Sequence, residues 1–388
     1  MHTAAPGGQA THSKPATGRL HLWGGRSDAL LLGGASVIAF LLIRVIEFSN
    51  ESMAALLVAM TVLAHLVNHP HFAHSYQIFY GRRSDVMSGA WGRQLAWRWW
   101  WAGVLAPLGL LGWLGFAALR AVAGDTLWIA ISINLMGALV GWHYVKQGFG
   151  MVMTDAALKR TYWPHRVRLA LLVNAYACWG AAWVGLNSTK AATAFWGFFS
   201  LEFHIPPAVT ALTWAVCLVT TCVTTLWVFR ALRGFRERNA DVPLPIAGLV
   251  AYFVTLYLWT VFAWADPAYL LVIPFFHSLQ YLTVVWRYKL NEWSAEAGPP
   301  NIRKRALSFA LRGVAFGALG FWLVPMALDF SRTGHLTLST AQTSLALACA
   351  WLFINVHHYL IDNVMWRKGN PSVARHLFGP AAHSRSPT

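Results

Sequence analysis

The sequence predicts an all-α fold, a polytopic integral membrane helix bundle of about ten transmembrane helices, and three observations predict it. Of 388 residues, 57% are hydrophobic and 11% charged, whereas a soluble domain carries roughly 25% charged residues. Apolar runs recur along the chain, each near the ~20 residues a helix needs to cross the hydrocarbon. The basic residues gather in alternate loops between those runs, which is the pattern of a positive-inside topology.

The chain divides into three parts. Residues 1–27 are rich in Gly, Pro, Ala and Thr and lack the apolar stretch and cleavage site of a signal peptide, so they read as a disordered cytoplasmic tail. Residues 28–367 form the bundle, and 368–388 a cytoplasmic C-terminal tail. The runs are 29–48, 53–80, 100–121, 126–149, 168–187, 207–230, 244–264, 267–286, 306–328 and 340–366. The short WADP turn at 264–267 makes the seventh and eighth antiparallel neighbours.

Orientation follows from loop charge. Arg82, Arg83, Arg93 and Arg98 follow the second run, Lys159 and Arg160 the fourth, Arg233 and Arg236 the sixth, Arg287 and Lys289 the eighth, and Arg367 and Lys368 the tenth. The opposite loops are poor in basic residues, with Lys190 and Arg332 the exceptions, and Glu47 and Glu51 read as solvated. Both termini are then cytoplasmic. The net charge of +16 is explained by topology, so no nucleic-acid partner is expected. Cys178, Cys217, Cys222 and Cys349 lie in apolar runs without CxxC spacing and read as small core residues. The loop 188–206 is too aromatic for a plain linker. It reads as an interfacial helix or lid with Trp196, Phe198, Phe199 and Phe203 at headgroup level and His204 on the same surface.

Of 16 histidines, eight lie inside predicted spans: His65, His69, His71, His74, His143, His277, His357 and His358. All eight fall on the second, fourth, eighth and tenth runs, which cross in the same direction. His71 and His74 precede Arg82 by eleven and eight residues, His277 precedes Arg287 by ten, and His357 and His358 precede Arg367 by ten and nine. At ~1.5 Å per residue these imidazoles sit about 12–17 Å inside one boundary. Ionisable side chains at such depth are costly and usually line a site or a cavity. The bland alternative for any one of them is an interhelical hydrogen bond, and His65 is the member expected to lie apart, nearer the outer face.

Local spacing refines the set. His65 and His69 share a helix face at i,i+4, a spacing that lets two imidazoles bind one metal. Pro70 is expected to kink the helix and re-aim His71 and His74. His358 and Asp362 are i,i+4, which suits a carboxylate that ligates or orients the imidazole. His143 and Gln147 repeat the interval, and PHFAHSYQ (70–77) and PFFHSLQY (274–281) share a His-Ser-x-Gln tetrad containing Gln77 and Gln280. The tyrosines beside these histidines (Tyr76, Tyr144, Tyr281, Tyr359) read mainly as core packing. The metal-ligand candidates are therefore His69, His71, His74, His143, His277, His357, His358 and Asp362, supported by Gln147, Gln280 and His65.

Neutral imidazole suits iron, copper and zinc, while magnesium and calcium prefer oxygen. With its HxxxH pair (His65, His69), HxxH pair (His71, His74) and HH pair (His357, His358), the chain resembles in chemistry the histidine-rich membrane non-haem di-iron oxygenases, the fatty-acid desaturase and hydroxylase class. It departs from them in lacking an HxxHH box and in drawing its candidates from within helices. The resemblance implies a non-haem iron centre that activates O₂ to hydroxylate, desaturate or cleave a lipid-soluble substrate. Copper, zinc or haem are the other cofactors weighed. Electrons would come from an external donor, since no flavin or iron–sulfur motif is present. The expected setting is the bilayer of a bacterial inner membrane. Two further readings stand beside this one: a metal-ion or proton transporter or channel along the polar layer, which the otherwise apolar outer halves disfavour and Thr210, Thr213, Thr220 and Thr221 of the sixth run keep in play, and a haem-binding membrane subunit.

Overall fold

The computed structural model describes residues 20–45, 49–189, 194–262, 267–296, 301–335, 343–367 and 369–378. Residues 1–19 and 379–388 of the expected tails, Glu47, Lys190, Lys368 and residues 264–266 of the WADP turn lie outside them. The described chain is almost entirely helical. Its ten main helices are α1 Gly25–Val45, α2 Asn50–Met87, α3 Gly92–Val122, α4 Leu127–Leu158, α5 His165–Ser188, α6 Pro207–Arg238, α7 Ile246–Val261, α8 Ala268–Ala295, α9 Ile302–Thr333 and α10 Leu345–Met365.

Nine of these, among the described residues, are long and apolar enough to cross a membrane, which is compatible with a multi-pass membrane protein. The expected seventh span is the exception. Pro243 and Pro245 delay its start, and α7 runs only from Ile246 to Val261, short of the ~20 residues of a full span.

Prolines shape three helices in one way. A π-helical turn ends two residues before each proline: Ala64–Asn68 before Pro70, Trp101–Leu105 before Pro107, and Leu319–Leu323 before Pro325. Proline lacks an N–H, and its ring collides with the carbonyl four residues back. Those carbonyls belong to Leu66, Gly103 and Phe321, and all three fall in the widened turn. The helix absorbs its proline by loosening one turn and then continues.

Helix α10 is the hub, packing against α2, α3, α4 and α9, while α8 crosses the π-helical turn of α2 and the first turns of α1. Two glycines one helical turn apart, Gly313 and Gly317, bring α9 onto α2. A Cβ at Gly317 would stand 2.8 Å from the Cβ of His69, so only glycine permits this approach, as at small-residue helix crossings in membranes.

Both ends of the bundle extend beyond the expected boundaries of 27 and 367. The Leu22 and Trp23 amides donate to the buried Asp28 carboxylate at 2.8 Å each, and the Trp23 indole donates to the Thr283 carbonyl at 3.0 Å. These bonds tie residues 20–24 to the bundle. After α10, Asn370 caps a short helix, Pro371–Val373, that runs on through Ala374–Phe378. Ser372 there accepts from the Trp91 indole and donates to Asp85, and the His376 carbonyl accepts from Asn291.

The aromatic loop before α6 forms a two-residue hairpin where an interfacial helix was one expectation. Strands β1 Ala194–Phe195 and β2 Phe198–Phe199 pair antiparallel around Trp196 and Gly197, whose φ values of 50° and 77° are those of a tight hairpin turn. Trp196 is buried against Trp322 and Trp351, and Phe198 is buried, while Phe199 and Phe203 are exposed. A tryptophan in the left-handed region costs roughly 1–2 kcal/mol, which its buried indole offsets. The hairpin is a plug set into the bundle.

Candidate metal centre

Three helices contribute to one buried group. His71 of α2, His143 of α4, and His358 and Asp362 of α10 each offer a ligand atom, and these atoms all lie within 4.8 Å of one another. The rings interlock edge to face, with centroids 4.5 Å apart for His71 and His358 and 5.0 Å for His143 and His358. His277 of α8 stands beside them, 5.1 Å from both His71 and His143. All five side chains are buried.

Helix geometry explains which candidates meet. His358 and Asp362 are one turn apart on α10, and their side chains approach to 3.4 Å between Nε2 and Oδ2. His357 is rotated by about 100° from His358 and faces away. Its Nε2 bonds the Ala102 carbonyl at 2.9 Å, which requires the proton there, so its Nδ1 accepts from the Tyr76 hydroxyl at 2.9 Å. His69 lies two residues from His71, on the opposite side of α2, where it stacks on Phe321 at 4.4 Å. His74 stacks on Phe309 at 3.9 Å, and its Nδ1 accepts from the Gln77 side-chain amide at 3.3 Å. His65 bonds the Thr61 carbonyl at 2.8 Å and lies by Trp322. Of the eight ligand candidates the structure therefore gathers His71, His143, His358 and Asp362, flanks them with His277, and places His69, His74 and His357 elsewhere. Gln147 and Gln280 bond each other at 2.7 Å, and Gln147 also bonds the His277 carbonyl. They fasten α4 to α8, and among the described residues no hydrogen bond joins either amide to an imidazole of the group.

Supporting residues fix the orientation of the rings. The Ser278 hydroxyl donates to Asn68 Oδ1 at 2.7 Å, so its oxygen accepts from His71 Nδ1–H at 2.9 Å. That pins the proton on Nδ1 and leaves the Nε2 lone pair free, the usual second interaction of a metal-ligating histidine. The Tyr281 hydroxyl donates to Asp362 Oδ1 at 2.9 Å and meets Ser75 at 2.6 Å and the Trp366 indole at 3.1 Å. Sequence reasoning assigned Tyr281 to packing and passed over Asn68. The available signal for the serines was the repeated His-Ser-x-Gln tetrad: Ser75 and Ser278 are its two serines.

The donor set fits a metal ion on an independent observation. His71 Nε2, His143 Nε2, both nitrogens of His358, His277 Nδ1 and Asp362 Oδ2 are buried without a hydrogen-bond partner. Leaving such groups unpaired costs about 1–3 kcal/mol each, yet they converge from separate helices. A carboxylate buried among neutral imidazoles also lacks a counter-charge, which a cation would supply. This buried His₃–Asp group could hold a metal ion. No protein-family model matches the chain, and no curated protein or solved structure matches it either.

Proposed function

We propose that the protein is a multi-pass bacterial inner-membrane enzyme that uses a non-haem iron centre at His71, His143, His358 and Asp362 to oxidise a lipid-soluble substrate with O₂. The observation that carries this reading is the convergence of unpaired imidazole nitrogens on one buried carboxylate. Three neutral imidazoles and a carboxylate suit iron among the first-row metals, and copper or zinc are its competitors. Iron held there supplies O₂ activation and one-electron chemistry, with electrons from an external donor. The chain's own part is to position and to exclude water. Ser278 holds His71 in the tautomer with Nε2 free, Tyr281 holds Asp362, and His277 leaves a further nitrogen at the edge for a second ligand role. The rings of His71 and Tyr281 lie 4.3 Å apart and those of His143 and Tyr359 stack at 4.6 Å, and this close ring packing favours the non-haem reading over a haem subunit. Both termini lie on the cytoplasmic side in this reading, by the loop charges.

The competing transporter reading loses its main support. Thr220 and Thr221 bond Asn174, and Thr210 bonds Ser188, so these threonines join helices.

The test is metal analysis and absorption spectroscopy of detergent-purified full-length protein, with His358→Ala alongside. The expected result is iron near one or two atoms per chain, lost in the variant, with no Soret band. Metal that persists in His358→Ala, a Soret band, or no transition metal after growth in iron-rich medium would overturn it.

A further inference from the structure

Away from the metal group, the contact between α5 and α6 carries chemistry that the proposed reaction does not use. Cys178 of α5 and Cys217 of α6 place their sulfur atoms 3.5 Å apart. Both are buried, Cys178 at 0% and Cys217 at 5% exposure. They are free thiols 39 residues apart in the sequence, one on each helix. A disulfide requires an S–S distance of about 2.05 Å, about 1.5 Å shorter than the separation of the two sulfur atoms. Cys178 Sγ–H points to Asn174 Oδ1 at 3.7 Å, an oxygen that also accepts from Thr220 and Thr221. The pair is thus set in a polar pocket with an acceptor beside the first thiol.

The position has a mechanical meaning. Helix α6 packs mainly on α5, with 17% of its apolar window buried. A bond at this contact would staple it to the bundle.

We infer that Cys178 and Cys217 are a redox-active dithiol closed by a neutral, membrane-soluble two-electron oxidant of the quinone or lipid-hydroperoxide class. Access decides the class. The α6 residues around Cys217 that face outward are apolar, with Val216 and Val219 exposed, and both cysteines lie near the middle of long apolar helices. A charged oxidant such as oxidised glutathione has no route to them. The balance is neutral throughout. Each thiol gives up one hydrogen and one S–S bond forms. Two protons and two electrons pass to the oxidant, which leaves as a quinol, or as an alcohol plus water when its O–O bond breaks. No charge is stranded in the buried interior, where an ionic pathway would be costly.

The test uses the full chain in lipid nanodiscs, first reduced and then treated with decylubiquinone, cumene hydroperoxide or oxidised glutathione. Free thiols are then blocked under denaturing conditions, and the peptides are mapped by mass spectrometry. The expected product is one linked peptide joining Cys178 to Cys217, lighter by two hydrogen atoms than its reduced parts, with Cys222 and Cys349 still alkylated. Linkage with only one of the two apolar oxidants identifies the class. Cys222→Ser should leave the link unchanged, and this control carries the test if Cys178→Ser or Cys217→Ser does not fold. Full alkylation of Cys178 and Cys217 after both apolar oxidants, linkage to Cys222 or Cys349 instead, or equally fast linkage by glutathione would overturn the inference.

Discussion

Two buried polar clusters sit in this bundle, and they are built in opposite ways. Around Asn174, on α5, α6 and α7, each polar atom finds a partner. Its amide donates to Tyr252 and Tyr257 at 3.2 and 3.1 Å, and its carbonyl accepts from Thr220 and Thr221 at 3.1 Å each. Around His358, on α2, α4, α8 and α10, the nitrogens converge and stay unpaired. The first cluster is complete without a ligand and holds helices together. The second has bonds only on its outer side, through Ser278 and Tyr281, and its inner side is left for something the chain does not provide. Saturation, rather than polarity or burial, separates the two.

The comparison breaks if alanine at the two centres has the same effect. The largest expected change is metal loss from His358→Ala or Asp362→Ala, at least about 100-fold in affinity and so beyond the range of outer-sphere changes. Helicity by circular dichroism should be retained. Asn174→Ala should do the reverse, keeping metal content while unfolding more easily by about 1–3 kcal/mol for the donors it strands, measured by denaturant titration. Equal metal loss in both variants would erase the distinction.

Tyr281→Phe sharpens it further. The variant keeps the ring and removes the hydroxyl that holds Asp362, so metal affinity should fall about 10–100-fold while the bound form persists at saturating metal. A smaller effect is expected from His357→Ala, because both nitrogens of His357 are already engaged by Ala102 and Tyr76. Metal stoichiometry there should stay at the wild-type value, and a drop to zero would place His357 in the group.

The smallest effect lies outside the spans, at His376. Burial and the nearby Arg82 and Arg375 guanidiniums push its pKa from 6.5 down to about 4. The folded form therefore binds its proton less readily than the unfolded one, and stability is lost as pH falls from about 6.5 toward 4. Limited proteolysis of the 369–378 segment should increase across that window, and His376→Ala should flatten the change.

Much of the fold was legible because the signal is physical and local. A run of ~20 apolar residues has few alternatives to a helix, and the histidines stand out against it. The site was only half legible. Depth told that His71, His277 and His358 lie in one layer and left His143, close to Lys146, harder to place, but depth carries no information about rotation. His74, His69 and His357 share the layer or adjoin it, and each is turned toward Phe309, Phe321 or Ala102. Rotation depends on where π-helical turns fall and on Gly313 and Gly317 drawing α9 onto α2. Neither is visible until the prolines and glycines are seen against their neighbours. The plug around Trp196 was hidden for a different reason: a tryptophan at positive φ is not what composition suggests.

The widened turn at Ala64–Asn68 divides α2 into two stretches that need not keep step. Residues Asn50–Leu63 on one side contribute no buried side chain, while His69, His71 and His74 on the other side are all buried. Removing one residue from the turn would return it to ordinary pitch with the two stretches nearly in phase, because a widened turn is how a helix takes up one extra residue. A deletion within Asn50–Leu63 would instead rotate the residues before it by about 100°, while the stretch anchored by Ser278, Phe309 and Gly317 stays. The one place in α2 where a residue can be lost without turning Met53, Leu56 and Met60 away from their neighbours is thus the turn just before His69.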